Sequence, residues 1–361
     1  MKNLKRICVL IGLLGMAFSG SAQETDTPKI ILITLDGYRW QELFTGADSL
    51  LVANREYVQD TAQLKKTFWR ATPKERRETL MPFFWGKVAS MGQLHGNRNL
   101  GSKMNLTNNM WFSYPGYNEI LTGAADDENI KSNDKIPNPN TTILERFNNT
   151  PQGKGKVAAF GSWDVFPYII NEERSGVPVN AGYEKASGNN LTERENMLNE
   201  IQRQAPIIWE SVRLDVFTHN YALEEMKKNH PKMLYISYGE TDDFAHGGFY
   251  DFYLQAAQRS DAMIQQLWNF TQQDPFYKDQ TVFLITTDHG RGTNPLATWK
   301  SHGTEINGAD QVWLVAFGKG VRPLGEVGQD EQLYTNQIAP TILKALEMPI
   351  TMEIKGTPMK L

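Results

Sequence analysis

Seven residues spread along the chain carry side chains suited to one chemistry: Asp36, Ser113, Asp242, His246, Asp288, His289 and His302. Asp242 and His246 stand four apart, so a helical turn brings both to one face, as a divalent cation requires of two side-chain ligands. Asp288-His289-Gly290 and Ser301-His302-Gly303 add two further imidazoles and a carboxylate beside glycines. Oxygen donors mixed with imidazoles suit two borderline cations such as zinc, with manganese the alternative, better than calcium or magnesium, which favour oxygen alone. A cation beside Ser113 would lower the pKa of its hydroxyl, and a second would stabilise a leaving oxygen, so an in-line displacement is clamped at both ends. The set describes a two-metal hydrolase. His95, His219 and His230 lack such neighbours and are read as structural.

Chemistry of this kind needs elements that end where the ligands stand. Ile31-Leu-Ile-Thr-Leu35 is a continuous apolar run, the pattern of a parallel strand covered on both faces, and Asp36-Gly37 follows at its carboxyl end. In open α/β sheets that is where ligands gather. Met233-Leu-Tyr-Ile-Ser237 and Thr281-Val-Phe-Leu-Ile-Thr-Thr287 are strands of the same type, ending before Asp242 and at Asp288. Lys156-Val-Ala-Ala-Phe160 and Val312-Trp-Leu-Val-Ala-Phe317 supply two more. Ser113 lies at a strand-to-helix junction, with Pro115 in the first turn and Gly123 at the far end, where a hydroxyl faces backbone N–H groups. Its bland alternative is an N-cap. Capping boxes predict helices from Pro73 to about Ser90, after Thr142 and after Thr192, and another helix spans Asp215 to Asn229. Gly96 to Asn109 is expected to be loop with a short strand. The class is α/β, in one domain, because no repeat or linker interrupts the 361 residues.

Composition is ordinary for a globular chain, with 40% hydrophobic and 22% charged residues. Lys2, Lys5 and Arg6 precede the apolar run Ile7 to Phe18, and Gly20-Ser21-Ala22 follows, which together form a secretory signal peptide, cut after Ala22 or Gln23. The sole cysteine, Cys8, leaves with it, as do three positive charges, taking the formal charge from −4 to −7. The expected product is exported, periplasmic or secreted, with no disulfide and no membrane anchor once processed. Mild acidity argues against binding a nucleic-acid backbone, nucleotide substrates aside.

Asp at the first strand end, a Ser before a helix, Asp-x-x-x-His, Asp-His-Gly and a later His-Gly together resemble the alkaline phosphatase superfamily. Asn336-Gln-Ile-Ala-Pro-Thr-Ile-Leu343 is similar to its closing helix. The resemblance implies a three-layer α/β/α sandwich with a mostly parallel sheet, occupying 24–361, with insertions around 44–110 and 124–230. It also implies Asp242, His246 and His302 on one metal and Asp36, Asp288 and His289 on the other. Ser113 would bind the second metal as an alkoxide and pass through a phosphoserine.

The substrate class is then set by what surrounds Ser113. Ser113-Tyr-Pro-Gly-Tyr117 keeps the proline of the formylglycine sulfatase pattern but has Tyr117 where its arginine belongs, which argues against a sulfatase. Tyr114, directly after the nucleophile, resembles the nucleotide pyrophosphatase and phosphodiesterase branch, where an aromatic holds the leaving group. That branch usually has threonine as nucleophile and a longer insert before its last histidine. The 13 positions from His289 to His302 look more like the cofactor-independent phosphoglycerate mutase branch, whose cytosolic substrates suit an exported protein poorly. The expectation is a hydrolase of small-molecule phosphoric esters, phosphodiesterase or phosphatase, with Tyr114 pointing to diesters. The rival is a phosphomonoesterase in which Arg291 or Lys300 serves the added negative charge. A non-catalytic binding protein that keeps the metal site is the second class.

Overall fold

The computed structural model describes residues 27–361; the signal peptide inferred at 1–23 lies outside them. Strands β1 (Lys29–Leu35), β2 (Gly92–His95), β4 (Val157–Gly161), β5 (Val179–Ala181), β6 (Met233–Tyr238), β7 (Thr281–Thr286), β9 (Leu314–Gly318) and β10 (Gly325–Glu326) form the central sheet. Their order is β10-β2-β9-β7-β1-β6-β4-β5. β9 runs antiparallel to both neighbours, and the other pairs are parallel. A small second sheet joins β11 (Glu331–Tyr334), β3 (Ser102–Asn105) and β8 (Gln311–Val312).

β1 is central, pairing Ile31 with Leu234 of β6 and with Phe283 of β7. Ile31, Ile33 and Leu35 enter one hydrophobic cluster and Ile30 and Leu32 the other, so each face of the strand meets its own core. This is why the run lacks alternation. Phe217, Tyr221, Tyr253 and Leu254, from helices Asp215–Asn229 and Tyr250–Gln273, fill the first cluster. Tyr117, Ile120, Leu144 and Ile342, from helices Ser113–Thr122, Ile143–Asn148 and Ile338–Ala345, fill the second. The result is a three-layer α/β/α sandwich, as the resemblance implied.

Some boundaries differ from the sequence reading. The helix opened by the Thr72/Glu75 capping box stops at Leu80, and a separate π-helical turn spans Phe84–Val88. The buried Asp261 carboxylate accepts the N–H groups of Phe83 (2.8 Å) and Phe84 (2.9 Å) and so starts the second segment independently. The apolar run at 312–317 divides at Trp313, sending Val312 to the small sheet and Leu314 onward to the large one. The stretches marked as insertions also contribute central strands, β2 from one and β4 and β5 from the other. Among the described residues no helix is long and apolar enough to cross a membrane.

Candidate metal centre

β7, β1 and β6 are neighbours and parallel, so their carboxyl ends deliver Asp288-His289, Asp36 and the helix Glu240–His246 to one place. Gly37 turns the chain with φ of +57°, and its N–H donates to Asp288 Oδ1 (3.1 Å), tying two strand ends together. The hydroxyl of Thr241 donates to the Asp36 carbonyl (2.5 Å), tying in the third. Further out, Asp215 accepts from the N–H groups of Gly239 and Glu240 while Glu240 accepts from that of Asp215, which fixes the start of the helix bearing Asp242 and His246.

His289 stands in the middle. Its Nε2 lies 3.3 Å from Asp36 Oδ1, 3.5 Å from Asp288 Oδ2 and 3.7 Å from Asp242 Oδ1. His302 Nε2 lies 3.8 Å from Asp242 Oδ1 and 2.9 Å from His246 Nε2, and His246 Nε2 is 3.2 Å from Asp242 Oδ2. Ser113 Oγ is 3.4 Å from His289 Nε2. All seven residues thus converge. Donor atoms of Asp36, Asp288 and His289 lie within 4.8 Å of one another, as do those of Asp242, His289 and His302. His289 therefore sits between the two ligand groups that the resemblance separates, while His246, half-exposed, closes the outer one.

The donor set fits divalent cations. Asp36 Oδ1 and Asp288 Oδ2 are buried without a completed hydrogen bond, and a buried carboxylate oxygen demands a positive partner. Burial first, and then Asp36, hold the Asp288 carboxyl well above the usual range. For His289 burial opposes the charge, but Asp288 and Asp36 outweigh it and push the imidazole up to about 9. Burial and the neighbouring His289 lower both His246 and His302, leaving neutral imidazoles, the form that binds metal.

Two expected substrate residues are placed otherwise. Tyr114 is 3% exposed, belongs to the hydrophobic core and donates its hydroxyl to the Ile136 carbonyl (2.6 Å). It offers no open face to a leaving group. The reason is helical geometry: Ser113 faces the metal ligands, and the next residue points about 100° away, under the loop 129–139. Arg291 is 1% exposed and is committed to the scaffold, donating to the carbonyls of Gly37 (3.2 Å), Lys300 (2.7 Å) and Asp242 (3.1 Å) as well as to the Asp242 carboxylate. It braces the candidate ligand Asp242 from within the fold.

Other residues were missed. Tyr117 donates to Asp36 Oδ2 (2.7 Å) and accepts from Ser237 (3.1 Å), holding the first carboxylate. Its position four residues after Ser113 was a usable signal, because it shares that helix face. Asn133 Oδ1 accepts the Tyr114 N–H (3.0 Å) at the helix start beside Ser113. His95, His219 and His230 bond Glu331, Tyr238 and Asp274 respectively, away from the centre.

The profile of the metalloenzyme superfamily matches residues 211–350, the part holding Asp242, His246, Asp288, His289 and His302. No curated protein matches. Among solved structures, the alkaline phosphatase PafA superposes with TM-score 0.59 at 11% identity, over 92% of this chain and 98% of that one. A phosphonate monoester hydrolase from Silicibacter pomeroyi gives 0.56 at 13% identity, over 92% and 76%. A protein of the alkaline phosphatase superfamily from Vibrio parahaemolyticus gives 0.51 at 13%, over 92% and 69%. These likenesses establish the fold, and with the metalloenzyme profile they bear out the resemblance to the alkaline phosphatase superfamily.

Proposed function

We propose, from a chain with the alkaline phosphatase superfamily's fold and a metalloenzyme segment over residues 211–350, that it is an exported two-metal phosphoric ester hydrolase working through a phosphoserine on Ser113. The observation that carries this reading is the convergence of Ser113 with six metal-type ligands, five at three adjacent strand ends and His302 on a loop beyond β7. Asp242, His246 and His302 would hold one cation and Asp36, Asp288 and His289 the other, and zinc suits this mixture. When bound, the ions supply Lewis-acid stabilisation of the attacking and leaving oxygens. The protein's own part is positional. Helix 113–122 presents the Ser113 hydroxyl beside His289, Tyr117 and Gly37 fix the two carboxylates at the strand ends, and Arg291 aims Asp242.

Diesters are the better substrate class. A monoester dianion gains from a cation dedicated to its extra charge, yet Arg291 is committed to Asp242 and Lys300 Nζ stands over the Tyr57 ring at 5.5 Å. The deciding experiment is a parallel assay of aryl phosphate, bis-aryl phosphate and aryl sulfate with the metal-loaded mature protein. Bis-aryl phosphate should be turned over best. A tenfold or greater preference for the monoester would make this a phosphomonoesterase, and turnover of the sulfate alone would overturn the phosphate reading. Export rests on the basic and then apolar start of the sequence. N-terminal sequencing of the secreted protein should begin at Gln23 or Glu24.

A further inference from the structure

Trp111 stands shortly before Ser113 with φ of +53°, in the left-handed region that a bulky side chain avoids. Such a backbone persists only where its surroundings hold it. The Asn108 side chain does so, its Oδ1 accepting the N–H groups of Met110 (3.1 Å) and Trp111 (3.0 Å). Asn108 is itself buried and held by Glu119, whose Oε2 accepts both its backbone N–H (2.9 Å) and its Nδ2 (2.8 Å). Glu119 is buried within helix 113–122 and also accepts the N–H of Asn336 (3.1 Å). A chain of hydrogen bonds thus runs from the helix of the candidate nucleophile to the turn at Trp111. That turn aims the Trp111 carbonyl at the loop beyond β7, where it accepts the N–H of Gly303 (2.9 Å), the residue after His302.

The His302 ring calls for such a hold. Its Nε2 faces His246 and Asp242, and its Nδ1 is buried without a completed hydrogen bond. A metal-bound imidazole donates its second ring N–H, and a backbone carbonyl is a common acceptor. Burial and the neighbouring His289 lower His302, while the Trp111 carbonyl pulls the other way as an acceptor for the ring. We propose that Trp111 is a positioning residue for the outer cation: locked in its left-handed turn by Asn108 and Glu119, it holds His302 in place and sets it relative to Ser113. This rests on the two-metal reading and adds to it the residues, outside the ligand set, that fix the spacing between nucleophile and outer ion. The bland alternative is that the Trp111 ring, which packs against the second hydrophobic cluster, serves stability alone.

Trp111→Gly and Trp111→Val both delete the ring, but glycine adopts the left-handed turn freely and valine resists it. The test titrates the mature protein with zinc against a chromogenic chelator, so the readout is metal affinity and not turnover. Trp111→Val should weaken one of the two ions by about tenfold to a hundredfold and leave the other at native affinity, while Trp111→Gly should hold both as the native protein does. Asn108→Ala should act as Trp111→Val does, and Trp111→Gly added to it should restore most of the lost affinity, which keeps the test sound if either single variant folds poorly. His246→Ala, which lacks a ligand of the outer ion, identifies that ion, and Trp111→Val added to it should leave the remaining ion untouched. Equal losses from Trp111→Gly and Trp111→Val would assign the effect to the ring and overturn the proposal. Native affinity for both ions in Trp111→Val and Asn108→Ala would overturn it as well, with the two-metal reading intact. A native protein that binds no zinc ends the two-metal reading itself, and the positioning role with it.

Discussion

At the scale of single residues, Ser113 and Tyr114 show what adjacency in sequence conceals. Ser113 is set 3.4 Å from His289, and Tyr114 is buried with its hydroxyl on two backbone carbonyls, those of Ile136 and Tyr168. Ser113→Ala should keep both metals and the fold while turnover falls on the order of a thousandfold or more, and a phosphoseryl peptide should be trapped from the native protein by acid quench. Native rates from the variant would remove Ser113 from the mechanism. Tyr114→Phe removes the donor of the Ile136 carbonyl, so it should cost about 1 kcal/mol of stability in a denaturant titration and leave the ratio of rates between substrates unchanged. Arg291 was read as a substrate residue because it stands beside Asp288-His289-Gly290. Its depth in the fold was not legible, since burial of an arginine depends on carbonyls contributed by Gly37, Asp242 and Lys300. Arg291→Ala leaves the Asp242 carboxylate without its guanidinium and should destabilise by roughly 3–5 kcal/mol, with metal affinity falling alongside.

Among the elements, helix 113–122 is positioned by a glycine. A Cβ on Gly116 would lie 2.2 Å from the Asp288 carbonyl oxygen, so the helix touches the end of β7 backbone to backbone. Alanine would favour a helix by about 1 kcal/mol, but a clash with backbone anchored in the central sheet costs roughly 1–3 kcal/mol, and the clash should win. Gly116→Ala should therefore move Ser113 away from His289 and lower kcat about a hundredfold, with the metals still bound. Unchanged kcat would mean the approach is not needed. The strands that place the ligands were legible because they are long, apolar and buried on both faces. β5, β10 and β11 were not, since strands of two to four residues at sheet edges carry no period to read. The break after Leu80 was hidden for another reason: the group that makes it, Asp261, lies 178 positions from Phe83 in sequence. Burial pushes the Asp261 carboxyl up to about 7, against the lowering effect of its two backbone donors. The folded chain then holds a proton there that the unfolded chain releases near pH 4. The contribution of Asp261 is complete below that and lost as pH rises through about 7. Asp261→Asn should flatten stability across pH 4 to 7, measured as denaturation midpoints; an unchanged slope would assign the proton elsewhere.

For the whole molecule, the candidate centre acts as a joint. Three strand ends, helix 113–122 and the loop bearing His302 meet there and present buried carboxylates to one another, with Asp36 and Asp288 crowding His289. Cations that bind the folded chain and not the unfolded one stabilise it by mass action, about 2.7 kcal/mol for a site at a hundredfold excess over its Kd. In a domain of this size each kcal/mol corresponds to roughly 1–2 °C in Tm. Chelation should therefore lower Tm by several degrees per ion removed and abolish turnover, and zinc should restore both. Asp288→Ala and His246→Ala separate the two sites. Asp288 is buried between β7 and β1, so its loss should cost metal, activity and most of the chelator-sensitive stability. His246 stands half-exposed at the outer edge, so its loss should release one ion and lower turnover with a smaller change in Tm. A native protein whose elemental analysis shows about two transition-metal ions, and whose Tm and rate both respond to chelator, fits this arrangement. Absence of any transition metal together with chelator-insensitive turnover would rule it out, and Ser113 would then have to be explained without a metal centre.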